Sequence, residues 1–298
     1  MLDQFEHTWI EKMEQQLREN PAVAVALLQN AATDASPSMF AHIEYLLAQC
    51  YRKLHQQQNE ETALLNCIQY FKTIADKEHY YFCNIGLAKV NANFGRYAIA
   101  ETYLSAAQDL ANEAQNCEWM IRVYDNLGLL NSRMSRYEES VRYYTEALRL
   151  LRSNAGSKQL QSMKTNVYLG NVYIKMKLYD RAYDHFTMAL TELQADFNSY
   201  DSQMPLRGLA YLFLDQKKPE AAKRFLDKAH QQLETKGDLI SKMRLTLLDA
   251  EYLKQMGAYL EAKELLTAGL QLFHQQEVAF LKVQYLKAIA ELEKQVAG

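Results

Sequence analysis

Two asparagines, Asn126 and Asn171, together with Lys89, Arg122, Asp125, Lys164, Arg207, Tyr211 and Arg244, are the residues whose chemistry asks for a use. A carboxamide donates and accepts at once, which suits an extended peptide backbone, and a guanidinium grips a carboxylate with two hydrogen bonds. That is the chemistry of recognition. The chain contains no G-x-S-x-G nucleophile turn, Gly-rich phosphate loop, H-E-x-x-H pair or acidic calcium loop. Its seven histidines are scattered and read as surface or packing residues. Glu60-Glu61 and Glu138-Glu139 read as carboxylates at helix starts, where the macrodipole favours negative charge. No catalytic residue, metal or cofactor is expected.

The elements that position these residues come from a repeated pattern. Leu127-Gly128 is followed by Tyr137, Ser140, Tyr144 and Ala147, and Leu169-Gly170 by Tyr179, Ala182, Phe186 and Ala189 at the same spacings. A large residue beside a small one lets two helices approach closely, and an aromatic at the turn plugs the open end of the pair. Taking the small residue of each first helix gives Ala48, Ala88, Gly128, Gly170, Ala210, Ala250 and Ala290, separated by 40, 40, 42, 40, 40 and 40. This pattern resembles the tetratricopeptide repeat, whose standard unit is about 34 residues. The resemblance implies an all-α fold, a right-handed superhelical solenoid of about seven helical hairpins plus a C-terminal helix. The expected arrangement is a single solenoid over 1–298. It has an atypical hairpin at 1–35, six long repeats at 38–275 and a capping or connector helix at 276–298.

Composition agrees with helices and short punctuation. Hydrophobic residues make up 49% of 298, with only four Pro and ten Gly. A net charge of −3 gives no overall basic bias, so neither nucleic acid nor a membrane surface is an expected partner. The segment MLDQFEHTWIEK lacks the character of a signal, and no apolar run reaches the roughly 18 residues of a spanning helix, so a cytoplasmic location is expected. Cys50, Cys67, Cys83 and Cys117 form no C-x-x-C pair and read as buried thiols.

Asn20-Pro21 starts a helix whose Ala24, Leu28 and Ala31 keep the rhythm. The rhythm slips after Gln56, where a longer turn up to Asn59 is expected to move the small position to Ala63. Residues 154–159 and 196–205 read as loops. Met134, Met163, Met176 and the tyrosines read as core and turn plugs. The final helix is expected to pack through Phe280, Val283, Leu286, Ile289 and Ala290.

In the family it resembles, first helices line a concave peptide-holding face. The stripe at −6, −3, −2, +1, +4 and +5 from each small residue holds Arg52, Lys53, Lys89, Arg122, Arg133, Lys164, Lys175, Arg207, Arg244 and Lys254. Against these ten cations stand only Asp125, Asp215 and Glu251. Half of the cations fall in last turns, where they pair with open carbonyls in any case. The partner expected is a protein or peptide with acidic groups or a free carboxylate. The resemblance points to a non-catalytic binding scaffold or sensor of bacterial signal transduction, with an output domain such as a diguanylate cyclase or a histidine kinase. The alternative is a regulator like the peptide-pheromone receptors of quorum sensing, and an enzyme is the third reading.

Overall fold

The structure, a computed structural model, describes residues 4–153, 159–193, 203–236, 239–274 and 279–297. All regular structure among the described residues is helical, and the chain divides into two compact units, 1–134 and 135–298. The first unit holds α1 (Gln4–Glu19), α2 (Pro21–Ala32), α3 (Pro37–Lys53), α4 (Gln57–Thr73), α5 (Lys77–Asn93), α6 (Tyr97–Glu113) and α7 (Cys117–Arg133). The second holds α8 (Tyr137–Ser153), α9 (Gln159–Lys175), α10 (Tyr179–Glu192), α11 (Gln203–Asp215), α12 (Pro219–Lys236), α13 (Leu239–Gln255) and α14 (Tyr259–Leu270). A short 3-10 turn (Gln271–His274) and α15 (Ala279–Ala297) follow. Within each unit, helices adjacent in sequence pack against one another, and where the connection is described it is a short turn.

The repeat length is the sum of a helix and a turn. Helices α3 to α6 each have 17 residues, and three residues join each to the next. The middle residue of every such turn is left-handed: His55 (φ 59°), Ala75 (56°), Gly95 (75°) and Gln115 (47°). Lys177, Lys217 and Gly257 do the same in the second unit. The residue after it bonds back to a carbonyl five residues earlier, as in Gln56 N to Tyr51 O at 2.8 Å and Ala258 N to Leu253 O at 2.9 Å. This closure satisfies carbonyls that a helix end leaves open, and it reverses the chain in three residues. In two of these turns the same residue also caps the next helix: Asp76 accepts from the amide of His79, and Asn116 from those of Glu118 and Trp119.

The turn after α3 is no longer than the others, contrary to the expectation. Glu60 simply occupies the position filled by Ala100, Ala182, Ala222 and Ala262 in later second helices, so register is kept and a carboxylate replaces a methyl. It is accommodated because Arg52 Nε donates to its Oε1 at 2.6 Å and Gly86 stands opposite. A Cβ on Gly86 would lie 2.9 Å from the Arg52 Nη2 and 2.7 Å from Leu64 Cδ1.

The core of the first unit runs from Met13, Leu17, Ala24 and Leu28 through Leu46, Ala48, Leu64 and Phe71 to Leu87. Tyr81, fully buried, stacks on Trp119 with centroids 4.4 Å apart and donates its hydroxyl to the Trp119 carbonyl at 2.8 Å. In the second unit the fully buried Phe186 ring fills the space left by two glycines. A Cβ on Gly170 would come within 2.7 Å of it, and one on Gly208 within 2.2 Å. Gly128, like Gly170, is buried as its place in the pattern requires. Cys50, Cys67 and Cys83 are buried, but Cys117, at the first position of α7, is exposed, a correction to the reading of four buried thiols.

The last helix is rotated from its expected setting. It packs through Leu281, Tyr285 and Leu292, with Ile289 partly covered, while Val283 and Leu286 are about half exposed and Ala290 is exposed. Tyr285 sets the rotation: its ring occupies the space opposite Gly269, where α6, α8, α10 and α12 carry alanine, and its hydroxyl donates to the Met243 carbonyl at 2.8 Å. The side chain of Phe280 lies outside the described residues. So do 154–158 and 194–202 of the expected loops, while Gln203, Met204 and Pro205 begin α11.

Candidate functional site

In the first unit the expected residues lie on α5 and α7, the first helices of successive pairs. Lys89 is on α5, and Arg122, Asp125 and Asn126 are on α7. Lys89 is open to solvent yet crowded by protein, so burial is the first cause that pulls its ammonium down to about 8. Arg52 and Arg122 lower it further, while Glu60 and Asp125 act the other way. Three cations thus share one stretch of wall, with two carboxylates set back behind them: Glu60 is 4% exposed and Asp125 is 7% exposed. Burial also raises the Glu60 carboxyl, against the pull of Arg52. Asn126 is half-buried, and its Nδ2 donates to the Arg122 carbonyl at 2.6 Å, which leaves its second N–H and its Oδ1 for other partners.

In the second unit Arg207 (α11) and Arg244 (α13) are close enough for their charges to act on each other. Burial, and then Arg244, lowers the Arg207 guanidinium to about 10. Its Nη1 is buried with no hydrogen-bond acceptor, and one turn earlier on α11 the Nε2 of Gln203, a residue only 2% exposed, is likewise without one. Tyr211 continues the same face at 41% exposure. Burial raises its hydroxyl first, and Asp215 adds to this. Asp215 itself accepts from Lys177 Nζ at 2.7 Å and Tyr179 Oη at 2.9 Å. Lys164 and Asn171 stand half-buried on α9, and among the described residues no hydrogen bond or ion pair ties either to the Arg207 group.

Several cations of the expected stripe are committed to partners within the fold. Arg52 is bound to Glu60, Lys53 Nζ donates to the Leu17 carbonyl at 3.1 Å, and Lys254 pairs with Glu251. Lys89 and Arg122 in one unit, and Arg207 and Arg244 in the other, are close enough for their charges to act on each other. Sequence reading placed Glu60-Glu61 at a helix start but missed their ion pairs: Glu60 with Arg52, and Glu61, whose Oε1 accepts from Arg96 Nη2 at 2.6 Å. The signal available for the first was a glutamate exactly one repeat before Ala100. Gln203 was missed because nothing marks a buried amide in a helix start.

A profile of the tetratricopeptide repeat matches residues 82–153. No curated protein matches the sequence. Among solved structures, NprR in complex with its cognate peptide NprX is similar at 14% identity and a TM-score of 0.72, covering 100% of this chain and 90% of that one. A Rap protein complexed with Competence and Sporulation Factor is similar at 11% identity and 0.74, covering 100% and 89%. The apo form of the quorum sensor NprR from B. thuringiensis gives 14% and 0.66, covering 98% and 89%. At these identities the likeness is one of fold.

Proposed function

We propose that this chain, in which residues 82–153 match the tetratricopeptide repeat, is a peptide-binding regulatory module whose first-helix walls hold an acidic peptide or a peptide's free carboxylate. The observation that carries the reading is Arg207: a guanidinium nitrogen is buried without an acceptor, beside a second arginine. A buried unsatisfied donor costs about 1–3 kcal/mol, so an incoming carboxylate that supplies the acceptor would recover that and the charge interaction together. Lys89 and Arg122 present a comparable cationic stretch in the first unit. Two of the similar structures are described as complexes with a cognate peptide and with Competence and Sporulation Factor, which is the mode of use we propose for this fold here.

The reading is non-catalytic: Lys89 with Arg122, and Arg207 with Arg244, are like charges set close together, an arrangement suited to holding an anion rather than to passing a proton. Of the two signalling contexts, a receptor for a short signalling peptide fits the similar structures better than a plain scaffold. Coupling to an output domain such as a diguanylate cyclase or a histidine kinase is the scaffold version of the same proposal.

The test is calorimetry with a set of short acidic peptides, each made with a free and an amidated C-terminus. Binding should weaken on amidation or on loss of acidic side chains, and should fall in the triple variant Asn126→Ala, Asn171→Ala, Arg207→Ala. An authentic peptide ligand that binds this variant unchanged would remove the assignment. Separate Lys89→Met and Arg244→Ala variants tell which unit supplies the charge.

A further inference from the structure

Away from the Lys89 wall, we infer that His42, Asp76 and His79 form a site for a divalent metal ion of the zinc class. One potential ligand atom from each lies within 4.8 Å of the other two. The residues come from two helices: His42 from the second turn of α3, Asp76 from the cap of α5, and His79 from its first turn. Two imidazoles and a carboxylate suit zinc and its neighbours in the transition series rather than magnesium or calcium, which prefer oxygen throughout.

The hydrogen bonds prepare this donor set. His42 Nδ1 is 2.8 Å from the Ser38 carbonyl, which can only accept, so that nitrogen carries the proton and Nε2 keeps its lone pair. A ring nitrogen tied to a backbone carbonyl is the usual outer support of a metal-binding histidine. His79 Nδ1 is 2.8 Å from Asp76 Oδ2, while Asp76 Oδ1 accepts from the His79 amide at 3.1 Å. A metal ion takes the place of the proton between Nδ1 and Oδ2, and the neutral ring passes to its other tautomer, with the proton on Nε2. The helix cap through Oδ1 is kept. His42 closes the triad with Nε2, and a water completes four-coordination.

Ligand atoms of a tetrahedral zinc site stand about 3.3 Å apart, from bonds of roughly 2.0–2.1 Å. His79 Nδ1 and Asp76 Oδ2, now 2.8 Å apart, have to open by about 0.5 Å to that spacing, and His42 has to move in from within 4.8 Å. The rings are held in orientation by the buried Phe71, on which His79 stacks at 4.6 Å and His42 packs edge-on at 5.1 Å. His79 also lines a cleft of about 360 Å³, shared with Glu14, Glu78 and Tyr45, which gives an ion a path from solvent. Binding ties the start of α3 to the start of α5, which are first helices of successive pairs.

The experiment titrates Zn2+ alone into chelator-stripped full-length protein against a chromophoric competitor. A Cys117→Ser background is used to remove the exposed thiol as a competing site for Zn2+. One equivalent should bind. His42→Gln, His79→Gln and Asp76→Asn should each weaken it by roughly tenfold or more, as loss of a ligand or its support does. Zn2+ should raise the melting temperature of the parent and leave that of His42→Gln unchanged. Asp76→Asn keeps a good helix cap and therefore decides the matter if a histidine variant fails to fold. The absence of saturable binding in the parent, or equal affinity in Asp76→Asn and the parent, overturns the assignment.

Discussion

Replacing Lys89 by methionine is expected to make the protein more stable. The ammonium sits where burial, Arg52 and Arg122 oppose its charge more than Glu60 and Asp125 support it, which brings it from 10.5 to about 8. At about 1.36 kcal/mol per pKa unit, that shift corresponds to a ceiling of roughly 3.4 kcal/mol of destabilisation. Lys89 is solvent-exposed, so water and salt screen much of this, and a gain near 1 kcal/mol is the realistic expectation. The sign with pH follows from the lowered folded-state value. Below about pH 8 the lysine is charged in both states and the penalty is complete. Between about 8 and 10.5 the folded protein has released the proton that the unfolded chain still holds, so stability rises with pH.

Lys89→Met should therefore exceed the parent in urea unfolding at pH 7, with a melting temperature higher by about 2–4 °C for each kcal/mol. The margin should shrink as pH rises towards 10.5 and as salt is added. A variant no more stable than the parent at pH 7, or a margin that ignores pH, would refute the charge-repulsion account of this wall. A lysine kept at a site that disfavours its charge is what a binding surface for anions would show.

Three further outcomes are expected. Gly170→Ala and Gly208→Ala each drive a methyl into the Phe186 ring and should destabilise by about 1–3 kcal/mol, with Phe186→Leu partly restoring Gly208→Ala in denaturant unfolding. Ala75→Gly should stabilise by about 0.5–1 kcal/mol and Gly95→Ala should destabilise by a similar amount, since both turn positions are left-handed and no atom lies near the Gly95 Cβ site. His230 is raised above 6.5, first by its hydrogen bond to Asp249 at 2.9 Å. Its contribution is present below pH 6.5 and lost as pH rises through the folded value. Asp249→Asn should remove that slope, which is within about 0.5 kcal/mol for so exposed a pair, and unchanged pH-dependence of melting would reject it.

The fold was legible because packing between neighbouring helices imposes a strict rhythm. Ala48, Ala88, Gly128, Gly170, Ala210 and Ala250 are all buried, and the recurrence of these small residues alone located the hairpins. Deviations from that rhythm were misread where a side chain found a partner elsewhere in the chain. Glu60 imitated an insertion because its compensation, Arg52 and the space at Gly86, lies on other helices. Tyr285 turned α15 away from the setting that a 40-residue count from Ala250 implied, because the opening at Gly269 and the Met243 carbonyl together fit one ring.

Of the residues singled out for recognition, their helices could be assigned from spacing, since facing is a property of periodicity within one element. Which of them act together could not. The bond from Lys53 to the Leu17 carbonyl, the crowding around Lys89 and the burial of Arg207 beside Arg244 depend on distances between different helices. The same holds for His42, 34 residues before Asp76, whose meeting with it no local pattern announces. Period and handed turns are local and repeat with the chain; pairing of charges and rings is settled only when successive helices come within a few ångströms.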